Sequence, residues 1–364
     1  MRPLVADYIE TLAPYVPGKP IEETEREYGL SNVIKLASNE NALGPSPLAV
    51  RAMQDALATV NLYPDGSNFA LVRRLATHLG VEPGEVFVGH GSNEIIELII
   101  RAFTSPNDVA LLCQGSFVMY KVALQSHGRR FIEVPMQDGF RYDLAAMARA
   151  LTPQTRLVFL ANPDNPTGTA FSRTELEQFL SAVGPETLVV LDEAYFEYVD
   201  WNEYPNGLDY FRKLPNFMIM RTFSKIYGLA GVRIGYAVGQ RPLVQYLNRV
   251  RMPFNLSSVA HAGGIAALDD LEHVRSTRES TWRALKYFDT ELPKLGVRVA
   301  KSRANFVFAD LGRPAAPVYE ALLRRGVITR PLRPSGWLEA LRISCGLVSQ
   351  NERLVKALGE VLRG

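Results

Sequence analysis

The sequence predicts an α/β fold in which a mostly parallel β-sheet is covered by helices and followed by a smaller α+β domain. Short apolar runs alternate with amphipathic helical stretches through the middle of the chain, a rhythm typical of parallel sheets with helical crossovers. The run Phe217–Met220 is apolar throughout, as expected for a strand buried on both faces. After roughly residue 250 this alternation gives way to a long helical stretch and a different strand pattern.

The chain is predicted to begin with an N-terminal arm, residues 1–38, that packs with the small domain. One short amphipathic helix is expected near its start, before Pro14, Pro17 and Pro20 break regular structure. After the arm, a loop from Ser38 leads into the large domain.

The large domain is predicted over residues 39–257. Its helices are marked by apolar positions on one face and its strands by short apolar runs. Ser172 can cap one of the helices through its hydroxyl. The predicted helices cover about 47–58, 70–79, 91–103, 117–126, 144–151 and 174–183, and the predicted strands 85–89, 109–113, 130–134, 156–160, 188–191, 217–220 and 233–238.

The last part of the chain, residues 258–364, is predicted as a linking helix and the small domain. The linking helix is expected to run as one stretch over about 258–292. Strands are expected at 297–300, 306–310 and 341–344, with helices between and after them.

Composition narrows the functional classes. The chain has 364 residues, 47% of them hydrophobic, so a large core is expected. Its formal net charge of +2 gives no reason to expect nucleic acid or an anionic membrane as a partner. Cys113 and Cys345 form no C-x-x-C pair, and the five histidines show no metal-ligand spacing. With no apolar signal-peptide core and no stretch near 20 apolar residues, a cytoplasmic location without a bound metal is expected.

Lys225 is the central candidate for catalysis. It follows the apolar run Phe217–Met220 in the segment RTFSK, where Thr222 and Ser224 leave the strand with it, and Arg233 comes eight positions later. Open α/β sheets bind ligands at the carboxyl ends of their strands. A lysine there can form a Schiff base, and the hydroxyls and arginine can hold a phosphate. Together they suggest pyridoxal 5′-phosphate (PLP), although a lone lysine here would be an ordinary surface residue.

Two further segments support a phosphorylated cofactor. The turn Gly91-Ser92-Asn93 opens a helix, whose free N–H groups and partial positive charge suit a phosphate. Phe117 follows a strand end, where an aromatic ring can stack on a pyridine face. A plain capped helix and ordinary core packing are the alternative interpretations of these two features.

Three polar residues suit the ring of the same cofactor. Asp192 ends the apolar run of LVVLDEAY, where a carboxylate is costly unless it meets a cation such as a protonated pyridine nitrogen. Asn165, between Pro163 and Pro166, and Tyr195 can donate to the ring's phenolic oxygen. Taken alone, Asp192 can also cap the following turn, and Asn165 can simply form one.

With these residues in place, the chain resembles the histidinol-phosphate aminotransferase family, within the fold type I PLP enzymes. The resemblance covers essentially the full length and implies a seven-stranded sheet in the large domain and PLP as cofactor. Aromatic aminotransferases and a threonine-phosphate decarboxylase resemble this family too. The matching segments are APYVPGKP, LASNENALGPSP, LYPDG, GHGSNEIIELIIRAF, NPDNPTGT, LDEAY, RTFSKIYGLAGVRIGY and LRISCG.

The resemblance assigns roles position by position. Lys225 matches the catalytic lysine, and Tyr63 matches a tyrosine that reaches the cofactor phosphate of the neighbouring subunit, which implies a homodimer with shared active sites. The sequence departs from the family's usual residues at Phe117, Ala42 and Val118, where tyrosine, proline and glycine are common. The implied cofactor-binding residues are Gly91, Ser92, Asn93, Phe117, Asn165, Asp192, Tyr195, Thr222, Ser224, Lys225, Arg233 and Tyr63. The implied substrate-binding residues are Tyr15, Asn165, Arg330 and Arg342.

The implied activity is transfer of an amino group from histidinol phosphate to 2-oxoglutarate, giving imidazole acetol phosphate and glutamate in histidine biosynthesis. Arg342 is expected to grip an α-carboxylate and Arg330 the substrate phosphate, with Arg333 as the alternative for the phosphate. An aromatic amino-acid aminotransferase is the closest alternative function, followed by a PLP-dependent decarboxylase or lyase. A regulatory binding protein with an aminotransferase-like domain is disfavoured because the arm is short and not basic.

Overall fold

The structure, a computed structural model, describes residues 4–14 and 17–364. Within these residues the strands are β1 (Ile34–Lys35), β2 (Val86–His90), β3 (Val109–Cys113), β4 (Arg130–Val134), β5 (Thr155–Ala161), β6 (Leu188–Asp192), β7 (Phe217–Thr222), β8 (Ile234–Gly239), β9 (Arg298–Val299), β10 (Phe306–Asp310), β11 (Val327–Ile328), β12 (Arg330–Leu332) and β13 (Trp337–Ser344). The α-helices are α1 (Asp7–Glu10), α2 (Ile21–Tyr28), α3 (Pro47–Ala56), α4 (Phe69–Leu79), α5 (Gly91–Phe103), α6 (Val118–Ser126), α7 (Leu144–Arg149), α8 (Arg173–Ser181), α9 (Arg241–Val250), α10 (Ser258–Ala267), α11 (Leu271–Glu291), α12 (Ala315–Leu323) and α13 (Val348–Arg363).

The central sheet has seven strands in the order β2-β8-β7-β6-β5-β3-β4. The neighbours from β7 through β4 pair in parallel, and β8 runs antiparallel to both β2 and β7. Strands β6, β7 and β8 are buried along their whole length. The predicted mostly parallel, seven-stranded sheet is therefore confirmed.

The later part of the chain forms a four-stranded antiparallel sheet in the order β12-β13-β10-β9. A separate parallel pair joins the N-terminal arm to this region, because β1 pairs with β11 through Ile34 opposite Val327. The connection continues where Ser344 N–H donates to the carbonyl O of Leu36 at 2.9 Å. An early segment and a late segment of the chain thus meet.

The structure corrects two predictions about helices. The arm contains a second helix, α2, whose start after Pro20 fits a proline because the first helical N–H groups have no intrahelical partner. The stretch 258–292 is two helices, because Asp270 starts α11 as its N-cap and accepts the N–H of His273 at 3.2 Å. The same carboxylate accepts the hydroxyl of Ser46 at 2.6 Å, which anchors the break to the large domain.

A buried ion pair holds β6 and β7 together beside their carboxyl ends. Arg221 and Glu193 are both buried, and the guanidinium Nη2 lies 2.8 Å from Glu193 Oε2. Gly207 N–H donates to the other carboxylate oxygen at 2.9 Å, so the charge is also hydrogen-bonded. Separating the two side chains would leave a buried charge without its partner, which costs free energy. The pair therefore holds the ends of β6 and β7 at a fixed distance.

Two kinds of feature are absent from residues 4–14 and 17–364. None of their helices combines the length and apolar character needed to cross a membrane. The same part of the chain holds no group of three or more acidic, histidine or cysteine side chains arranged to hold a metal ion.

Candidate active site

A cavity of about 260 Å³ opens at the carboxyl ends of β5, β6 and β7. These strands are neighbours, with Ala161 paired to Asp192 and Asp192 to Met220. This is the edge of an open α/β sheet where ligands bind. The predicted site residues that line the cavity are Ser92, Asn93, Phe117, Asn165, Asp192, Tyr195, Thr222, Ser224, Lys225 and Arg233.

Lys225 lies in the cavity wall just after β7. Its Nζ donates to the carbonyl O of Ser38 at 3.3 Å. Burial lowers the pKa of Lys225 to about 7, and the positive charges of Arg342 and Arg233 act in the same direction. A lysine amine that is partly neutral near physiological pH can serve as a nucleophile and as a base.

Asp192 places a buried carboxylate at the end of β6. Tyr120 Oη donates to Oδ2 at 2.6 Å, and Ala194 N–H donates to Oδ1 at 3.1 Å. Burial raises the pKa of Asp192 to about 6, while these two hydrogen bonds oppose the rise. The side chain is thus fixed in direction and suited to meet a cationic group inside the cavity.

Sequence reasoning missed Tyr120, which holds Asp192 in place from α6. Its ring stacks on Phe159 with centroids 4.6 Å apart and meets Phe117 edge to face at 5.3 Å. The only local signal was its spacing of three positions after Phe117 in a helical stretch.

The start of α5 and the segment after β7 present the groups that an anion site needs. Ser92 and Asn93 lie in the first turn of α5, where the backbone N–H groups have no intrahelical acceptor. Arg233 Nη1 donates to Ser224 Oγ at 3.3 Å, which brings the guanidinium beside the hydroxyl. Gly91, with φ of 73°, leaves room for Arg233, because a Cβ at this position would collide with the guanidinium.

Arg342 fixes the orientation of Asn165. Its Nη1 donates to Asn165 Oδ1 at 2.6 Å, and its Nη2 donates to the carbonyl O of Ala37 at the same distance. Because the amide oxygen accepts from Arg342, the Asn165 amide nitrogen is left as the donor toward the cavity. Arg342 lies on β13, so a strand of the later sheet orients a residue in the loop after β5.

Tyr195 is oriented by Asn39, a second residue that sequence reasoning left without a role. Asn39 Nδ2 donates to Tyr195 Oη at 3.0 Å, so the hydroxyl proton of Tyr195 remains for another acceptor. Asn39 is held in turn by Ser344, whose Oγ donates to Asn39 Oδ1 at 2.9 Å. The burial of Tyr195 raises its pKa to about 12, so the phenol keeps that proton at neutral pH.

Arg330 lies beside Arg342, since the two residues are paired across β12 and β13. A second cavity, of about 40 Å³, has both arginines, Asn165 and Phe117 in its wall. Arg333 is exposed and lines neither this cavity nor the larger one. Two cations therefore lie next to the cavity that contains Lys225.

Of the last two predicted residues, Tyr63 and Tyr15, the structure describes only Tyr63. Tyr63 is 84% exposed and outside the cavity wall of its own subunit, with its ring stacked on Phe254 at 4.8 Å. Tyr15 falls outside the described residues.

The arrangement fits the polar groups of PLP. The phosphate matches the N–H groups of α5 and the Arg233 cation. The pyridine nitrogen matches the buried carboxylate of Asp192, whose remaining acceptor capacity faces the cavity. The donors of Asn165 and Tyr195 match the phenolic oxygen, and the amine of Lys225 matches the aldehyde.

Comparison with known proteins agrees with this geometry. The family described as "Aminotransferase class I and II" matches residues 31–358, so the chain belongs to this class. A histidinol-phosphate aminotransferase of Anaeromyxobacter sp. is 54% identical over 99% of both chains. Another, from Moorella thermoacetica, is 46% identical over 99% of this chain and 93% of the relative. The chain belongs to the histidinol-phosphate aminotransferase family.

Solved structures give the same result for the fold. A histidinol-phosphate aminotransferase from Sinorhizobium meliloti, solved with pyridoxal-5′-phosphate, superposes with a TM-score of 0.90 at 29% identity, covering 100% of this chain and 98% of that one. An aspartate aminotransferase from Thermus thermophilus, 22% identical, shares the fold with a TM-score of 0.85 over the whole of both chains. The predicted family, the fold type I architecture and the cofactor are confirmed; the roles of individual residues stay predictions.

Proposed function

We propose that this protein is a PLP-dependent aminotransferase that moves the amino group of histidinol phosphate to 2-oxoglutarate in histidine biosynthesis. One observation carries the proposal: Arg330 and Arg342 are paired on adjacent strands next to the cavity that holds Lys225 and Asp192. The names of the relatives at 54% and 46% identity support it.

The chain's own residues have separate tasks in this reaction. PLP, when bound, withdraws electrons from the Cα of the amine attached to it. Lys225 Nζ would hold the cofactor covalently and, as a free amine, would act as the base for the proton on the donor's Cα. Asp192 would keep the ring nitrogen protonated, and Asn165 and Tyr195 would donate to the ring oxygen.

Two substrates with different anionic groups must use this pocket in turn. Glutamate carries an α-carboxylate, which the planar guanidinium of Arg342 can bind through two parallel hydrogen bonds. Histidinol phosphate has no carboxylate but carries a phosphate dianion, which needs a cation of its own. We assign the dianion to Arg330, because Arg333 is exposed and lines neither cavity. Tyr15 keeps its predicted role as a second contact of the substrate phosphate.

Arg330→Leu should lower kcat/KM for histidinol phosphate by roughly ten- to a hundredfold, because a hydrogen bond to a charged group contributes about 1.5–3 kcal/mol. Phenylalanine carries no phosphate, so kcat/KM for phenylalanine as amino donor should fall much less. The test measures kcat/KM for both donors in the wild type and in the variant.

Arg333→Leu is the matched control, since it removes an exposed arginine three positions away. A selective loss in that variant would move the phosphate role to Arg333. An equal loss on both donors in Arg330→Leu would assign Arg330 a general structural role. A wild type that prefers phenylalanine would make an aromatic amino-acid aminotransferase the better assignment, and product analysis would detect a decarboxylase or lyase.

We further propose that the active enzyme is a homodimer in which Tyr63 completes the neighbour's site. Tyr63 is exposed, stacked on Phe254, and outside its own cavity wall. Large exposed apolar side chains concentrate around Tyr63 and around Phe254, and such a surface is typical of one covered by a partner. These side chains are Leu57, Val60, Leu62, Phe69, Met252 and Phe254.

Hybrid dimers can test the shared site. Chains carrying Lys225→Ala and Tyr63→Ala, co-expressed with two different tags and purified through both, should form dimers with one intact site. We expect about half of the wild-type kcat per dimer, since one of two sites then has both groups.

The control pairs a wild-type chain with a chain that carries both substitutions. If Tyr63 acts across the interface, this second hybrid should be nearly inactive, although it contains the same set of side chains. The reverse pattern, an active second hybrid and an inactive first one, would show that Tyr63 serves its own subunit.

We also propose the division of the chain into an arm over 1–38, a large domain over 39–257 and a linking helix with small domain over 258–364, and a cytoplasmic location. The separate sheets and the pairing of β1 with β11 support the division of the chain. The biosynthetic role of the named relatives supports the cytoplasmic location.

A further inference from the structure

Asp164 is a fully buried carboxylate that the proposed chemistry does not use. It precedes Asn165 in the loop after β5 and has no exposed surface. Its Oδ1 accepts the hydroxyl of Ser116 at 2.5 Å, and its Oδ2 accepts the hydroxyl of Thr167 at 2.8 Å and the N–H of Thr167 at 3.2 Å. A buried charge needs such donors, because burial otherwise strongly disfavours the ionised form.

The hydrogen bonds that lead to Asp164 have a fixed direction. Ala161 N–H can only donate, and it does so to Tyr142 Oη at 3.2 Å. Tyr142 Oη lies 2.7 Å from Ser116 Oγ, whose own proton is used on Asp164. The phenol therefore donates to Ser116, and the carboxylate orders the whole chain of donors.

This chain joins the two loops that carry the predicted ring contacts. Ser116 directly precedes Phe117, and Asp164 directly precedes Asn165; both Phe117 and Asn165 line the cavity. The loops follow β3 and β5, which are neighbours in the sheet. The Asp164 carboxylate thus fixes the distance between Phe117, placed for the face of the cofactor ring, and Asn165, placed for its edge.

We propose that Asp164 is a positioning residue for the cofactor, setting Phe117 and Asn165 relative to each other through Ser116 and Tyr142. This inference rests on the proposed use of PLP at this site. Burial raises the pKa of Asp164 to about 6, while the Ser116 and Thr167 hydrogen bonds oppose the rise, so the carboxylate is ionised at neutral pH. The substitution Asp164→Asn keeps the size of the side chain but leaves a single acceptor oxygen. That oxygen cannot accept from Ser116 on one side and from Thr167 on the other.

Two measurements without any amino donor test the proposal. The dissociation constant of PLP from Asp164→Asn should rise by roughly tenfold or more, because hydrogen bonds to a charged acceptor are lost. The pH midpoint of the absorbance change of the bound cofactor should also rise, because a displaced Asn165 no longer donates to the ring oxygen. Asp138→Asn, at an exposed aspartate, is the control and should change neither value.

Ser116→Ala removes the direct donor to Asp164 Oδ1, and Tyr142→Phe interrupts the chain one hydrogen bond farther on. Both should shift the midpoint in the same direction by smaller amounts, because the Thr167 hydrogen bonds to Asp164 remain. A folded Asp164→Asn protein with the wild-type midpoint and affinity would overturn the proposal. If Asp164→Asn does not fold, the two other variants decide, and an unchanged midpoint in both overturns it. A different preferred amino donor would contradict the proposed substrate but leave these two measurements unaffected.

Discussion

Lys225→Ala should retain bound PLP while losing nearly all turnover. The anion site at α5 and the ring contacts remain in the variant, so noncovalent binding persists. The covalent attachment and the proton shuttle disappear together, and proton transfer by a positioned side chain alone contributes about 10²–10⁴-fold. We therefore expect kcat to fall by at least about four orders of magnitude.

Borohydride reduction of the wild-type protein followed by peptide mass spectrometry checks the attachment directly. The cofactor mass should be found on the peptide that contains Lys225. Lys213→Ala, at an exposed lysine before β7, is the matched control and should keep wild-type activity and labelling. A cofactor attached to any other lysine would show that the assignment is wrong.

Asp192→Asn should lower kcat by roughly 10²-fold or more, the scale found when a single electrostatic contact to a developing charge is removed. The amide has nearly the same size and still accepts from Tyr120, but it lacks the charge that keeps the ring nitrogen protonated. The covalent bond to Lys225 should still form, because the carbonyl chemistry does not need that proton. Steady-state kinetics and the absorbance of the bound cofactor measure the two effects separately.

The Tm of the cofactor-free protein shows whether the loss of kcat in Asp192→Asn comes from unfolding. The folded-state pKa of Asp192, about 6, lies above its ordinary value of 3.8. Such a group stabilises the fold only at low pH, and that contribution is lost as the pH rises through about 6. At neutral pH, Asp192→Asn should therefore leave Tm unchanged or raise it. Near-normal turnover would show that the role assigned to Asp192 is wrong.

The sequence was informative where apolar strands end in polar residues. Asp192 and Lys225 stand directly after buried runs, and the parallel sheet brings such ends to one edge whatever the connections between them. The resulting cavity contains both, together with Asn165 from the neighbouring strand. The positions of Asp192, Lys225 and Asn165 could therefore be predicted from apolar runs that end in polar residues and from the way parallel strands end at one edge of a sheet.

The residues that orient the site could not be predicted in this way. Tyr120 donates to Asp192 across 72 positions, and Asn39 donates to Tyr195 across 156. Such contacts depend on how distant segments pack, which leaves no periodic signal in the sequence. The break at Asp270 is different, because its N-cap contact with the His273 N–H is local and only the Ser46 hydroxyl that anchors it is distant, 224 positions earlier in the chain.

The pairing of β1 with β11 has a consequence for the order of folding. Residues 34–39 are translated well before Val327, Arg342 and Ser344, which contact them. The seven-stranded sheet is complete in sequence by Gly239, so it can form while the early segment still lacks its partners. Because closing so long a loop costs entropy before any contact repays it, we expect the catalytic pocket to be assembled after its sheet, when these early and late segments meet.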